Sequence, residues 1–391
     1  MRLLDEMPVA LPPEQAARYR AAWPSADLLA ETVSIARDGH ALLLGCAADP
    51  LCLVVAARAP QSTCVVADDD AAAGRQLMEL AARADLPHVR AVDPIALVPR
   101  GGATVDGELY DTAIANTLYH SSKQMTRLLL AVAHAQLAPG GVLYVAGARD
   151  RGIVSITDEL RAVFGSAAVC SMRKGHRVVM GQRGSEAADL DALASRFLES
   201  RDTVDHVTVR GQSLALAPSA LVFAGGRLDP ATALLAETIE LGEREVVADL
   251  GCGAGIVGMV AARLAPGSQV FALDGSYAAV RLTSQNAQRN GLTTITALAG
   301  DALAPLRERD VRPDVIVTNP PFHAGQVQSR MVTQRFIAEA AERLAPGGRL
   351  YLVASRFLPY ETELRRHFAQ VSEVAGDQRY KVLLGSLAIS S

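Results

Sequence analysis

Short apolar runs recur along the chain, and between them apolar positions return every three or four residues, the spacing of a helix with one buried face. In the C-terminal half the runs are Val246–Leu250, Val270–Asp274, Ile295–Ala299, Asp314–Thr318 and Arg349–Ala354. None alternates apolar with polar, so each predicts a strand covered on both faces. The stretch from Ser276 to Gln288 predicts a helix, with Asn290-Gly291 as its stop. Strands alternating with helices imply βαβ units and a parallel sheet. The tail VSEVAGDQRYKVLLGSLAI predicts two strands joined at Gly376-Asp377, an antiparallel end to that sheet. HVTVRGQSLALAP predicts a hairpin ahead of it all.

The pattern occurs twice. LLAETV at Leu28–Val33 returns as LLAETI at Leu234–Ile239, and LLGCAAD at Leu43–Asp49 as DLGCGAG at Asp249–Gly255, both 206 residues on. Asp68 answers Asp274 at the same offset. NTLYH at Asn116–His120 answers NPPFH at Asn319–His323, LAPGGVLY answers LAPGGRLY, and RVVMG answers KVLLG, with offsets between 203 and 207. Matches kept in one order and register indicate tandem duplication. The expected organisation is a first domain over 1–183, a polar linker over 184–203 and a second domain over 204–391.

Composition excludes more than it selects. Half of the 391 residues are hydrophobic and a fifth are charged, enough for two cores. No apolar run is long enough to span a membrane. Asp5, Glu6 and three early prolines do not fit a signal peptide. The five cysteines, odd in number and without ligand spacing, and the eight scattered histidines argue against a metal site and for a reducing cytoplasm. The net charge of −4 is not that of a chain holding nucleic acid mainly by phosphate neutralisation, so RNA contact would fall to local basic patches. A monomer is expected.

Chemistry concentrates in the second copy. In DLGCGAG, Gly251, Gly253 and Gly255 let the backbone turn sharply and approach a ligand. Their spacing is not the GxGxxG of dinucleotide folds. Asp249, on the strand before the turn, would repel a pyrophosphate but suits the ammonium of a methionine moiety, directly or through water. Asp274 ends the second strand, where an acid accepts hydrogen bonds from ribose hydroxyls. Asp301 follows the third strand and suits an adenine amino group, or a helix cap. The fourth strand runs into Asn319, Pro320, Pro321 and Phe322. An exocyclic amine conjugated to a ring is a poor nucleophile, because its lone pair is delocalised. The Asn319 side-chain oxygen and the Pro320 carbonyl can accept its two N–H bonds, while Phe322 stacks on the ring. No strong base is needed, since the nitrogen becomes acidic once alkylated. His323 is read as packing the loop.

DLGCGAG, Asp274, GDA and NPPFHAG together resemble the ribosomal RNA guanine-N2 methyltransferases. The duplicated layout, FAGGRLDPATALLAET, SRFLPYE and YKVL are similar to the small-subunit methyltransferase C type. The resemblance covers residues about 204–391 well and the first half in outline. It implies an α/β protein of two tandem Rossmann-like methyltransferase domains, each a mostly parallel doubly wound sheet with an antiparallel end strand. It also implies S-adenosylmethionine as cofactor and N2 of a guanine in small-subunit (16S) ribosomal RNA, free or in the small subunit, as target. Asn319, Pro320, Pro321 and Phe322 would then hold the amine, and Asp249, Gly251, Gly253, Gly255, Asp274 and Asp301 the cofactor. The first copy has Leu43, Ala47 and Asp49 in place of Asp249, Gly253 and Gly255, and Thr117-Leu118 for the proline pair. It reads as a non-catalytic copy. Large-subunit rRNA, release-factor glutamine and DNA adenine remain alternative targets of an Asn-Pro-Pro-aromatic site, beside a scaffold that only binds RNA.

Overall fold

The computed structural model describes residues 6–11, 24–36, 38–98, 109–116, 123–185, 204–320 and 326–388. The chain forms two compact units, Met1–Glu199 and Ser200–Ser391.

In the first unit a helix α1 (residues 24–32) precedes β1 (Ala41–Leu44), α2 (Leu51–Arg58), β2 (Cys64–Ala67), α3 (Ala71–Arg83) and β3 (Val89–Val92). The chain continues through β4 (Tyr110–Asn116), α4 (Lys123–Gln136), β5 (Leu137–Ala148), α5 (Ile153–Phe164), β6 (Ala168–Arg173) and β7 (His176–Gln182). The strand order is β3-β2-β1-β4-β5-β7-β6. Strands β1 to β5 are parallel, and β7 runs antiparallel to both neighbours.

The second unit opens with the hairpin β8 (Asp205–Val209) and β9 (Gln212–Leu216), turning at Arg210-Gly211, both at positive φ. After α6 (Pro230–Thr238) come β10 (Val246–Leu250), α7 (Ile256–Leu264), β11 (Gln269–Asp274), α8 (Tyr277–Arg289), β12 (Ile295–Ala299), α9 (Ala304–Glu308), β13 (Val315–Thr318), α10 (Gln326–Arg343), β14 (Arg349–Ser355), α11 (Tyr360–His367), β15 (Gln370–Gly376) and β16 (Tyr380–Ser386). The order, β12-β11-β10-β13-β14-β16-β15, repeats that of the first unit. Again all pairings are parallel except those of β16, which runs antiparallel to both β14 and β15.

The central strands are buried along their length, as continuous apolar runs require: β13 wholly, and β10 from its second residue on. Ala248, Leu250, Leu273, Ile316, Leu350 and Leu352 pack on α10 and α11 through Ile337, Ala340 and Leu364. Boundaries fall where side chains cap the backbone. Ser276 caps α8, its hydroxyl accepting from Ala279 N at 3.1 Å, so that helix starts one residue later than the apolar pattern suggests. Asp314 stays outside β13 because its carboxylate accepts from Val246 N at 2.8 Å. Asp377 accepts from Arg379 N and Tyr380 N and so shapes the last turn. Cys46, Cys52, Cys64 and Cys252 are buried free thiols, and Cys170 is an exposed one. No helix is long and apolar enough to cross a membrane, and among the described residues no group of His, Cys, Asp and Glu could hold a metal ion.

Candidate active site

In the second unit the chain leaves β10 toward β11 on one side, while β13 pairs with β10 on the other. This is the point where the strand order reverses, and open α/β sheets bind ligands outside the carboxyl ends of the strands there. The Thr318 hydroxyl donates to Leu250 O at 2.7 Å and ties the two strand ends together. DLGCGAG emerges from one of them and Asn319-Pro320 from the other.

The three turn glycines have φ of +78° (Gly251), +56° (Gly253) and +80° (Gly255). They differ in surroundings. A Cβ on Gly251 or Gly253 would face open space, whereas one on Gly255 would stand 2.7 Å from Thr283 Cγ2 and 2.9 Å from its hydroxyl. Gly255 is therefore needed for packing against α8, and Gly251 and Gly253 form the face a ligand can approach. Residues that the sequence did not single out hold the loop in place. Thr283 donates to Gly253 O at 3.1 Å, and the buried Asn286 donates to Ala254 O at 3.0 Å while accepting from Ala217 N at 2.9 Å.

Asp274 clasps this loop to the second strand. One carboxylate oxygen accepts from Gly253 N and the other from Ser276 N, each at 2.9 Å. Asp249 is 2% exposed and accepts from Gly258 N at 2.8 Å. Its carboxyl is pushed up to about 7, because burial disfavours the charge more than that hydrogen bond supports it. A Cβ on Gly258 would lie 3.1 Å from the carboxylate, so a glycine inside an apolar helix was the available signal for the buried acid.

Asp301 departs from expectation. It does not cap α9, whose cap position is Leu303. Both of its oxygens instead accept from the Arg335 guanidinium on α10, one at 3.0 Å. The carboxylate assigned to an adenine amino group thus already has a forked cationic partner.

Asn319 lies where β13 ends. Its Nδ2 donates to Thr232 Oγ1 at 2.9 Å, and its Oδ1 is buried with no hydrogen-bond partner among the described residues. Pro320 is buried beside it. Pro321, Phe322 and His323 lie outside the described residues, as do Thr117 to His120 of the first unit.

The first unit keeps the clasp and has an acid where the second has Gly255. Asp68 accepts from Ala47 N at 2.8 Å and Asp70 N at 3.1 Å, as Asp274 does from its loop and helix. Asp49, at the position of Gly255, is 1% exposed, accepts from Leu51 N at 2.9 Å and takes the Asn116 side-chain amide at 2.8 Å. The loop's own carboxylate is thus hydrogen-bonded to the asparagine at the end of β4. Burial pushes it up to about 6.

Residues 23–180 and 214–384 each match the methyltransferase small domain. The chain is 41% identical over 164 residues to ribosomal RNA small subunit methyltransferase C of Alcanivorax borkumensis, covering 41% of this chain and 49% of that protein. It thus spans about half the length of that relative. Against the Pseudomonas aeruginosa (strain UCBPP-PA14) protein of the same name it is 33% identical over 274 residues, 67% of this chain and 75% of the relative. Among solved structures it is similar to the T. thermophilus 16S rRNA N2 G1207 methyltransferase in complex with AdoMet and guanosine. That match has a TM-score of 0.75 and 27% identity, and covers 93% of this chain and 92% of the other. The chain belongs to the methyltransferase small domain family.

Proposed function

We propose that the chain transfers a methyl group from S-adenosylmethionine to the exocyclic N2 amine of a guanine in small-subunit (16S) ribosomal RNA, and that residues 204–391 carry the chemistry. The single observation that carries this is the Asn319 amide. A buried oxygen without a donor is costly unless a ligand supplies one, and this oxygen lies at the strand end beside the glycine turn. The relatives named for small-subunit rRNA and the T. thermophilus enzyme support the choice of guanine.

The residues present fit S-adenosylmethionine. Gly251 and Gly253 leave open the space a Cβ would enter, and the Asp249 carboxylate below the turn suits the methionine ammonium through an intervening water. Asp274, whose carboxylate accepts from Gly253 N and Ser276 N, ends the strand at the position that suits ribose hydroxyls. Asp301 serves the adenine amino group only while sharing or releasing Arg335. Bound there, the cofactor supplies an electrophilic methyl on a sulfonium.

Asn319 Oδ1 and the Pro320 carbonyl accept the two amine hydrogens and favour a pyramidal nitrogen with its lone pair toward that methyl. Phe322 is assigned to stacking on the base, and Pro321 to the same amine-binding segment. The amine nitrogen would take the methyl of the bound cofactor, with the thioether as leaving group, and the surplus proton would leave to water. A paired guanine cannot present N2 to a strand end, so the target is unpaired or flipped out. The first unit, whose Asp49 carboxylate takes the Asn116 amide, has no catalytic part and serves RNA recognition or stability in the cytoplasm, with the chain acting as a monomer.

The test is methyl transfer from labelled S-adenosylmethionine to naked 16S rRNA, 30S subunits, 23S rRNA, release factors and DNA, followed by mapping of the modified nucleotide. Labelled N2-methylguanine in 16S rRNA or 30S subunits supports the proposal. Label confined to any other substrate refutes it.

A further inference from the structure

Which way an amide side chain faces decides whether it offers an acceptor or a donor, and nothing within Asn319 itself prefers one. The choice is made on α6. Asp229 caps that helix, one carboxylate oxygen accepting from Ala231 N at 3.0 Å and Thr232 N at 3.2 Å. Its other oxygen accepts from the Thr232 hydroxyl. An ionised carboxylate only accepts, so the single hydroxyl proton of Thr232 is committed to Asp229. Thr232 Oγ1 can then serve its other neighbour, Asn319, only as an acceptor. Asn319 must turn its NH2 toward it, and does so at 2.9 Å. The amide oxygen is thereby left facing away, buried and free to accept.

We infer that Thr232, polarised by Asp229, is a positioning residue that fixes the Asn319 amide with its oxygen as the acceptor for the target amine. The inference rests on the reading of Asn319 as the amine-binding residue. The duplicated half agrees. At the offset of 206 it has Trp23 for Asp229 and Ala26 for Thr232, and its strand-end asparagine, Asn116, gives its NH2 to Asp49 instead. Where the relay is missing, the amide is engaged elsewhere.

The two relay residues allow opposite manipulations. Thr232→Val keeps the shape and removes the acceptor, leaving the Asn319 NH2 unpaired. Thr232→Ser keeps the relay. Asp229→Asn keeps a helix cap of equal quality, but its NH2 can donate to Thr232. The hydroxyl proton is then free to turn to Asn319, and the amide can invert to present NH2 to the substrate. A misoriented group at the reacting centre typically costs up to about 100-fold, so Thr232→Val and Asp229→Asn should each lose about 10–100-fold in kcat. S-adenosylmethionine Kd should stay within about twofold and Tm should change little. Thr232→Ser should restore kcat to within about threefold of wild type.

Wild-type turnover on 16S rRNA or 30S subunits, with loss in Asn319→Ala, is measured first. If either fails, it is the proposed function or the role of Asn319 that falls. With both in hand, the positioning role is overturned if Thr232→Val and Asp229→Asn turn over within threefold of wild type, or if Thr232→Ser is as impaired as Thr232→Val. Should Thr232→Val fail to fold, Asp229→Asn alone decides by the same threshold.

Discussion

Replacing Asp249 with asparagine should stabilise the ligand-free protein and weaken its hold on S-adenosylmethionine, and the two effects should have linked pH dependences. The buried carboxyl titrates near 7 in the folded chain, against an ordinary value of 3.8. Below the ordinary value both folded and unfolded chains hold the proton and nothing is lost. As pH rises the unfolded chain ionises first, so the penalty grows until the folded carboxyl ionises too, and is complete above about pH 7. At about 1.4 kcal/mol per tenfold change in proton affinity, the penalty is bounded near 4 kcal/mol at pH 8 and near 2 kcal/mol at pH 5. Asparagine keeps an acceptor for Gly258 N–H and abolishes the ionisation, so its stabilising effect should be larger at pH 8 by about 2 kcal/mol. For a unit of this size that is a Tm difference of about 4–8 °C, readable by calorimetry. Ligand binding runs the other way. Between about pH 8 and pH 6 the ionised fraction of Asp249 falls about tenfold, and partial loss of the ligand's own ammonium near pH 8 reduces the expected drop in affinity to about fivefold. Titration calorimetry should find that drop in wild type and not in Asp249→Asn. Equal stability of the two proteins at both pH values, with parallel affinity profiles, would refute the assignment of a buried, ligand-facing carboxylate.

Asn319→Ala should keep cofactor affinity within about twofold and lose about 100–1,000-fold in kcat, as when a preorganised hydrogen-bonding group is removed; turnover within threefold of wild type counts against the clamp. Gly255→Ala must hold an L-residue at a left-handed φ, costing about 1–2 kcal/mol, and also displace Thr283, so its Tm should fall. Gly253→Ala bears the same left-handed φ cost but meets open space, so its Tm should fall less than that of Gly255→Ala while its S-adenosylmethionine affinity falls more; the reverse pattern in the two variants would contradict the division of the glycines. Isothermal titration of the intact chain should give one S-adenosylmethionine per chain, sensitive to Asp274→Ala and insensitive to Asp68→Ala. A stoichiometry near two would mean that Asp49 does not close the first unit.

The duplication and the parallel strand order with its antiparallel end were legible in the sequence. Those properties are local or periodic: apolar runs without alternation, glycines where φ turns positive, motifs repeated at a fixed offset. The strand limits came within a residue, and the side chain of Asp314 accounts for the later start of β13, as that of Ser276 does for the start of α8. The roles of individual acids were not legible, because a carboxylate's role depends on what surrounds it. Asp274 looked like a ribose ligand and is first a clasp on the glycine turn. Asp301 looked like an adenine ligand and is paired with Arg335, 34 residues away. Asp49 looked like an obstacle to ligand approach and is also the acceptor of the Asn116 amide. The facing of Asn319 depends on Thr232, 87 residues earlier. Hydrogen-bond direction propagates through partners that only folding brings together, so sequence determines which groups are available and tertiary structure decides which of them remain free for substrate.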